Sequence, residues 1–208
     1  MPKLPLYILA GGQSKRFGSD KARALLNSQP LIAHTQSQLV PVASTIIAVA
    51  DQPDKYADLN LPTIADPTPH LGPLAGLLTA LQHQYKHHNG GFIILAACDS
   101  LTLNHRWITT LTDALEQHTD NTKTKTKTKT KNVSPQHLAA CFKDARFPQP
   151  MPGIYHTALI PLIRQQLNNN QRSFTRFLKQ PETRTLTLPI PSDWPAQPSA
   201  NTPQDLTP

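Results

Sequence analysis

Apolar residues follow two spacings along this chain, and the two alternate. Leu4–Ala10, Thr45–Ala50 (TIIAVA) and Gly91–Ala97 (GFIILAA) are continuous apolar runs of strand length, and Thr63–Asp66 is a shorter one. Runs of this kind are expected where a strand is buried on both faces, as in a parallel sheet. Between them, apolar positions recur at helical spacing. Leu31–Val40 is predicted as a helix closed by Pro41, and Gly72-Pro73 opens another with proline at an early position. In that second helix Leu74, Leu77, Leu78, Leu81 and Tyr85 share one face and are expected to point inward. Asn104 is placed to cap a third, lined by Trp107, Ile108, Leu111 and Leu115. The pattern breaks after His118 and resumes with strands at His137–Phe142 and Met151–Tyr155. A helix from Thr157 follows, with Leu159, Leu162, Ile163 and Leu167 inward, then a short helix over Ser173–Gln180 and a last strand over Thr183–Ile190. Asn201–Leu206 has the form of a capped helical turn with Pro203 at its first position. This alternation predicts an α/β fold, a three-layer α/β/α sandwich around a mostly parallel sheet.

Length and charge sharpen that picture. A chain of 208 residues suggests one domain over 1–208, with parts at about 1–118 and 137–208 on either side of the break. The net charge of +7 invites a nucleic-acid reading, but Lys123, Lys125, Lys127, Lys129 and Lys131 supply most of it. That tract, 123–131, alternates lysine with threonine, is of low complexity and repels itself, so it is expected to be mobile. No aromatic residue interleaves it, so bases have no stacking platform, and no specific nucleic-acid partner is expected. Cys98 and Cys141 lie in apolar surroundings without zinc-ligand spacing, which suggests reduced packing residues. The first residues enter a strand pattern at once, so no signal peptide is expected, and no apolar run approaches the ~20 residues of a membrane helix. A cytoplasmic location is expected.

The first strand runs into Leu9-Ala10-Gly11-Gly12, and Lys15, Arg16, Gly18 and Asp20-Lys21 follow. The glycine spacing fits neither a Walker A loop nor a dinucleotide fingerprint. What remains is a strand entering a glycine-rich turn whose bare N–H groups form a concavity suited to anionic oxygens. Arg16 offers a forked donor to phosphate and Lys21 a mobile point charge. The plain alternative is a tight turn with solvated cations. Asp99 stands just past the end of a buried strand, where open α/β sheets collect ligands, and is the first candidate for a metal ligand; capping the next turn is the alternative. Asp66 ends the preceding strand in the same way, with an ordinary Asp-Pro turn as its alternative. His70 lies near these residues without an evident partner, and His87-His88 is expected to be solvated.

These segments resemble a known family in order. The stretch from Leu9 to Ala22, with "IADPTPHLGPLAGLLTAL" (64–81), "LAACDSLTL" (95–103) and "ANTPQDL" (200–206), is similar to the nucleotidyltransferases that make molybdenum cofactor dinucleotides, most nearly the guanylyltransferases. "RFPQPMPGIYHTALIPLIRQQLNNNQRSFTRFL" falls where that family holds its second substrate. The resemblance implies a Rossmann-like nucleotidyltransferase fold that transfers GMP from GTP to the molybdenum–pterin cofactor and releases pyrophosphate. It implies nucleotide binding by Leu9, Ala10, Gly11, Gly12, Lys21, Asp66 and Asp99, and catalytic roles for Arg16, Lys21 and Asp99. Asp99 would hold Mg²⁺, a hard cation that takes one or two carboxylates plus phosphate oxygens. Gly72–Gly76 would bring a helix start to the base or ribose. Pro152, Gly153, Arg146, Arg172 and Asn201 would serve the pterin substrate, making 1–118 the nucleotide part and 137–208 the pterin part. Partners implied are GTP, the molybdenum–pterin cofactor, cofactor delivery proteins and the enzymes that receive the product. The chain departs from the family where Ala50-Asp51-Gln52 stands in place of a usual asparagine, and at Ser199 and Ala97. Alternatives are a cytidylyltransferase for the same cofactor, another nucleotidyltransferase on this scaffold, or a non-catalytic nucleotide or nucleic-acid binder.

Overall fold

A computed structural model of the chain describes residues 3–12, 17–123 and 135–206. Among the described residues nine strands form: β1 (Leu4–Leu9), β2 (Leu25–Leu26), β3 (Gln29–Pro30), β4 (Ala43–Ala50), β5 (Thr63–Ala65), β6 (Phe92–Ala97), β7 (Ala139–Lys143), β8 (Pro148–His156) and β9 (Thr185–Pro189). The helices are α1 (Leu31–Leu39), α2 (Pro73–His88), α3 (His105–Lys123), α4 (Ile160–Asn168) and α5 (Phe174–Leu178). Seven strands make one sheet in the order β5-β4-β1-β6-β8-β7-β9. β4 and β6 flank β1 in parallel, β5 extends β4 in parallel, and β9 is parallel to β7. β8 alone runs against both its neighbours. The mostly parallel sheet predicted above is therefore present.

Side chains alternate across each strand, so a strand that is apolar throughout feeds two cores. Leu6 and Ile8 of β1, Ala48 of β4 and Ile94 of β6 point to one face, where Ile32 and Leu39 of α1 and Trp107, Ile108 and Leu111 of α3 cover them. Tyr7, Val49, Ile93 and Leu95 point to the other, against Leu74, Leu77 and Leu81 of α2, Ile163 of α4 and Phe177 of α5. Two helix layers on two faces complete the three-layer sandwich. From β1 the chain passes outward to β4 and β5, then returns through α2 to place β6 on the other side of β1. That reversal opens a crevice at the carboxyl ends of β1 and β6.

The structure departs from the sequence reading at three points. α3 continues past His118 to Lys123, because a formed helix gains a hydrogen bond for each residue it adds. The rest of the Lys-Thr tract lies outside the described residues. Tyr85, expected inward, is 63% exposed: α2 reaches the margin of the sheet there, and the ring lines a shallow cleft with Gly91, His156 and Pro161. The β2–β3 hairpin was not anticipated. Its turn, Asn27-Ser28, has φ of 50° and 65°, a double left-handed turn without the glycine that usually announces one.

Residues after β9 cross back over the sheet. Trp194 stacks on Trp107 with centroids 4.7 Å apart, and Asp193 accepts from the Trp107 indole N–H at 2.8 Å. Ser199 then bridges to Ser100, and Ala200 donates its N–H to the Asp99 carbonyl at 2.9 Å. Among the described residues no helix is long and apolar enough to cross a membrane.

Candidate active site

The crevice at the carboxyl ends of β1 and β6 is a pocket of about 500 Å³. Its floor is the end of β1. Ala10 donates its N–H to the Val49 carbonyl at 2.8 Å, which carries the ladder one residue beyond the strand and aims Gly11 and Gly12 at the cavity. One wall is the start of α2. Gly72 caps this helix at φ 92°, ψ 179°, a conformation that glycine alone adopts readily, and Pro73 follows at its first turn. Gly76 permits close packing of helix on strand: a Cβ there would lie 2.9 Å from Leu9 Cδ2. The Gly-Pro-Leu-Ala-Gly segment thus both packs α2 tightly and lines the pocket through Gly72, Pro73 and Gly76.

Charge enters from two distant parts of the chain. Lys21 opens a single 3-10 turn, Lys21–Arg23, that follows Gly18 (φ 66°). Asp99 follows Cys98, whose N–H is held by the Leu9 carbonyl at 3.0 Å. The Lys21 ammonium donates to Asp99 Oδ2 at 2.6 Å across 78 positions of sequence, with side-chain exposures of 17% and 24%. The two groups are therefore partly desolvated inside the pocket, where their field is stronger than at an open surface.

Asp66 forms part of the opposite rim. Its Oδ1 accepts from the Thr68 N–H (2.9 Å), the Thr68 hydroxyl (3.2 Å) and the Thr79 hydroxyl of α2 (3.1 Å). Asp66 is both a turn residue and part of the cavity wall. His70 also reaches the lining, with φ 76°. Cys98 lines the pocket but packs into the core, and burial pushes its thiol far above the usual range, which makes it inert as a nucleophile at neutral pH. Cys141 is likewise buried and free, with its thiol pushed up to about 12 by burial.

The structure thus gathers Leu9, Ala10, Gly11, Gly12, Lys21, Asp66 and Asp99 into one cavity. Arg16, the remaining catalytic candidate, lies outside the described residues. None of the candidates for a second substrate lines this cavity. Pro152 and Gly153 stay within β8, while their neighbour Met151 lines the pocket. A Cβ on Gly153 would meet the Pro150 carbonyl and the Tyr155 hydroxyl at 2.7 Å each, so this glycine makes room for packing. Arg146 is exposed on the β7–β8 turn, and Arg172 is exposed between α4 and α5. Asn201 lies in the returning tail, where Asp205 accepts its N–H at 2.6 Å and that of Thr202 at 2.8 Å.

Sequence reasoning missed Asp20, Lys55, Tyr56, Met151 and Asp205. An Asp before a helical turn was a legible cap signal for Asp20. Nothing local marked Lys55 or Tyr56, which approach from the β4–β5 connection. Among the described residues no group of three or more His, Cys, Asp or Glu side chains forms a ready-made metal cage. Asp99 and Asp66 nevertheless supply hard carboxylate oxygens to one cavity, which fits a cation that brings phosphate oxygens and water as its other ligands.

Residues 6–185 match the family described as "MobA-like NTP transferase domain". A "Probable molybdenum cofactor guanylyltransferase" of Carboxydothermus hydrogenoformans is 41% identical over 99 residues, 48% of each chain. One from Deinococcus radiodurans, of the same printed name, is 31% identical and aligns over 83% of this chain and 77% of its own. Among solved structures, "Molybdopterin-guanine dinucleotide biosynthesis protein A" from Archaeoglobus fulgidus superposes with a TM-score of 0.70 at 19% identity, over 98% of this chain and 95% of its own.

Proposed function

The chain belongs to the MobA-like NTP transferase family, and on that premise we propose that its pocket transfers GMP from GTP to the molybdenum–pterin cofactor. The products are the guanine dinucleotide cofactor and pyrophosphate. The observation that carries the reading is the Lys21–Asp99 contact at 2.6 Å inside the pocket where β1 and β6 end. A cation and a carboxylate side by side in one cavity support a shared grip on one triphosphate.

Both reactants are anions, so positioning and charge neutralisation supply most of the acceleration. The N–H groups after β1 and the Lys21 ammonium hold the phosphates in place. Lys21 would turn from Asp99 to the phosphate oxygens, and the Asp99 carboxylate would then hold the divalent cation, read as Mg²⁺, while Asp66 contacts the nucleotide. That ion, when bound, draws negative charge from the α-phosphate oxygens. The terminal phosphate of the pterin attacks the α-phosphorus, the bond to the β-phosphate bridging oxygen breaks, and pyrophosphate departs with that oxygen. Arg16 joins the phosphate grip in this reading. Residues up to about 118 serve the nucleotide. The pterin approaches from the side of Met151, with Pro152, Gly153 and Asn201 nearest and Arg146 and Arg172 as phosphate contacts from the rim. Two buried, free cysteines accord with a cytoplasmic enzyme that meets delivery proteins and recipient enzymes there.

The test is pyrophosphate release with molybdenum–pterin cofactor and Mg²⁺, GTP against CTP. GTP is expected to turn over and CTP poorly, and Asp99→Ala to lower the GTP rate by about two to three orders of magnitude. Faster turnover with CTP points to the cytidylyl reading; nucleotide binding with no pyrophosphate from either rejects an enzyme.

A further inference from the structure

We infer that Asp20 is a positioning residue for Lys21, clamped from the β4–β5 connection by Tyr56 and Lys55, and that this clamp sets how firmly the pocket holds a polyphosphate. The inference rests on the triphosphate reading above and adds residues which that reading does not use.

The turn that carries Lys21 is only three residues long, and a turn so short has little stability of its own. Asp20 supplies its side-chain cap: Oδ1 accepts from the Ala22 N–H at 3.1 Å. The same carboxylate is gripped from 35 residues farther along. The Tyr56 hydroxyl donates to Oδ2 at 3.1 Å, and the Lys55 ammonium stands 3.3 Å from that oxygen. Tyr56 is fully buried. Burial and the Asp20 charge both push its hydroxyl far above the usual range, so it remains a donor at any working pH. Lys55 is braced in turn by Asp51 at 2.8 Å. Arg23, on the same turn as Lys21, reaches back to Asp58 by two contacts of 2.8 Å and lies over the Tyr56 ring. The Lys21 turn is thus tied to the β4–β5 connection at Asp20 and at Arg23.

Charge gives this arrangement its purpose. A carboxylate one residue from a phosphate-binding lysine opposes an incoming anion unless it is turned aside and neutralised. Lys21 and Ala22 line the pocket, whereas Asp20 does not. Its charge is answered on the far side by Lys55. The clamp therefore keeps the adjacent carboxylate off the pocket lining while the ammonium stays on it.

The experiment compares GTP with GMP, because only the former carries the phosphates beyond α. Calorimetric binding of each nucleotide, with Mg²⁺ and without the pterin substrate, is measured for the intact chain and for Lys21→Ala, Asp20→Asn, Tyr56→Phe and the Asp20→Asn/Lys21→Ala double variant. Lys21→Ala is expected to abolish most of the preference for GTP. Asp20→Asn is expected to reduce that preference roughly tenfold, the scale of one charged hydrogen bond, with GMP affinity held within about twofold. Tyr56→Phe, which keeps the buried ring, is expected to reduce it about threefold, and the double variant to match Lys21→Ala. Equal loss of GTP and GMP in Asp20→Asn, an unchanged preference in both clamp variants, or additive losses in the double variant overturn the clamp while the triphosphate reading stands. An unchanged preference in Lys21→Ala overturns both. If Asp20→Asn fails to fold, Tyr56→Phe decides alone by the same split.

Discussion

Replacing Thr79 by valine tests whether the pocket rim is tied to α2 through a single buried hydroxyl. Thr79 is 8% exposed, and its hydroxyl donates to Asp66 Oδ1 at 3.1 Å. Valine has nearly the same shape and a similar helix propensity, so the backbone of α2 gains no reason to move. Asp66 keeps two donors from Thr68, so its carboxylate is weakened rather than orphaned. A hydrogen bond to a charged group contributes about 1.5–3 kcal/mol. Exchanging the hydroxyl for a buried methyl returns up to ~0.8 kcal/mol. The balance is a loss of about 1–2 kcal/mol, which for a chain of this size lowers the melting temperature by roughly 2–8 °C. The assay is thermal unfolding of wild type, Thr79→Val, Asp66→Asn and the double variant. The valine is expected to cost much less when Asp66 is already asparagine, because the strong partner has gone. Equal costs in both backgrounds would show that the hydroxyl acts through something other than Asp66, and an unchanged melting temperature would show that the bond contributes nothing.

Two other outcomes follow from the same geometry. Gly72→Ala is expected to cost about 1–3 kcal/mol, because at φ 92° the added Cβ strains the backbone although it meets no neighbour within 4 Å; denaturant midpoints measure this, and equal midpoints refute the strain. Hydrogen bonds from Asn104 and Trp107 hold the Asp193 carboxyl below its ordinary pKa. Its contribution is therefore complete above the unfolded value of about 3.9 and is lost as pH falls through the lowered folded value. Tryptophan fluorescence is expected to stay flat from neutrality to about pH 4 and to change below it, with Asp193→Asn lacking that step; an identical step in the variant assigns it elsewhere.

The layers and the main pocket were legible because each rests on a local signal. Uninterrupted apolar runs at β1, β4 and β6 mark strands with two buried faces, and glycines and carboxylates at their ends mark the crevice. Lys21 and Asp99 were readable one at a time, each from its own neighbourhood. Their meeting was expected only through the family resemblance, since a distance of 2.6 Å across 78 positions is set by the order of strands in the sheet. Tyr85 shows the opposite failure. Helical spacing told which side of α2 it occupies, but the end of the sheet beneath that side is a tertiary fact. The Lys55–Tyr56–Asp20 contacts were hidden because tertiary packing alone sets them and no motif carried them, and the Asn27-Ser28 turn because its residues adopt left-handed backbone without glycine.

The backbone amide that meets Asp99 belongs to Ala200, about a hundred residues later in the chain. When synthesis has passed β9, every strand of the sheet is in the chain, yet the amide that meets the Asp99 carbonyl is still to come. Synthesis therefore supplies this brace on Asp99 only after the last strand of the sheet has been made.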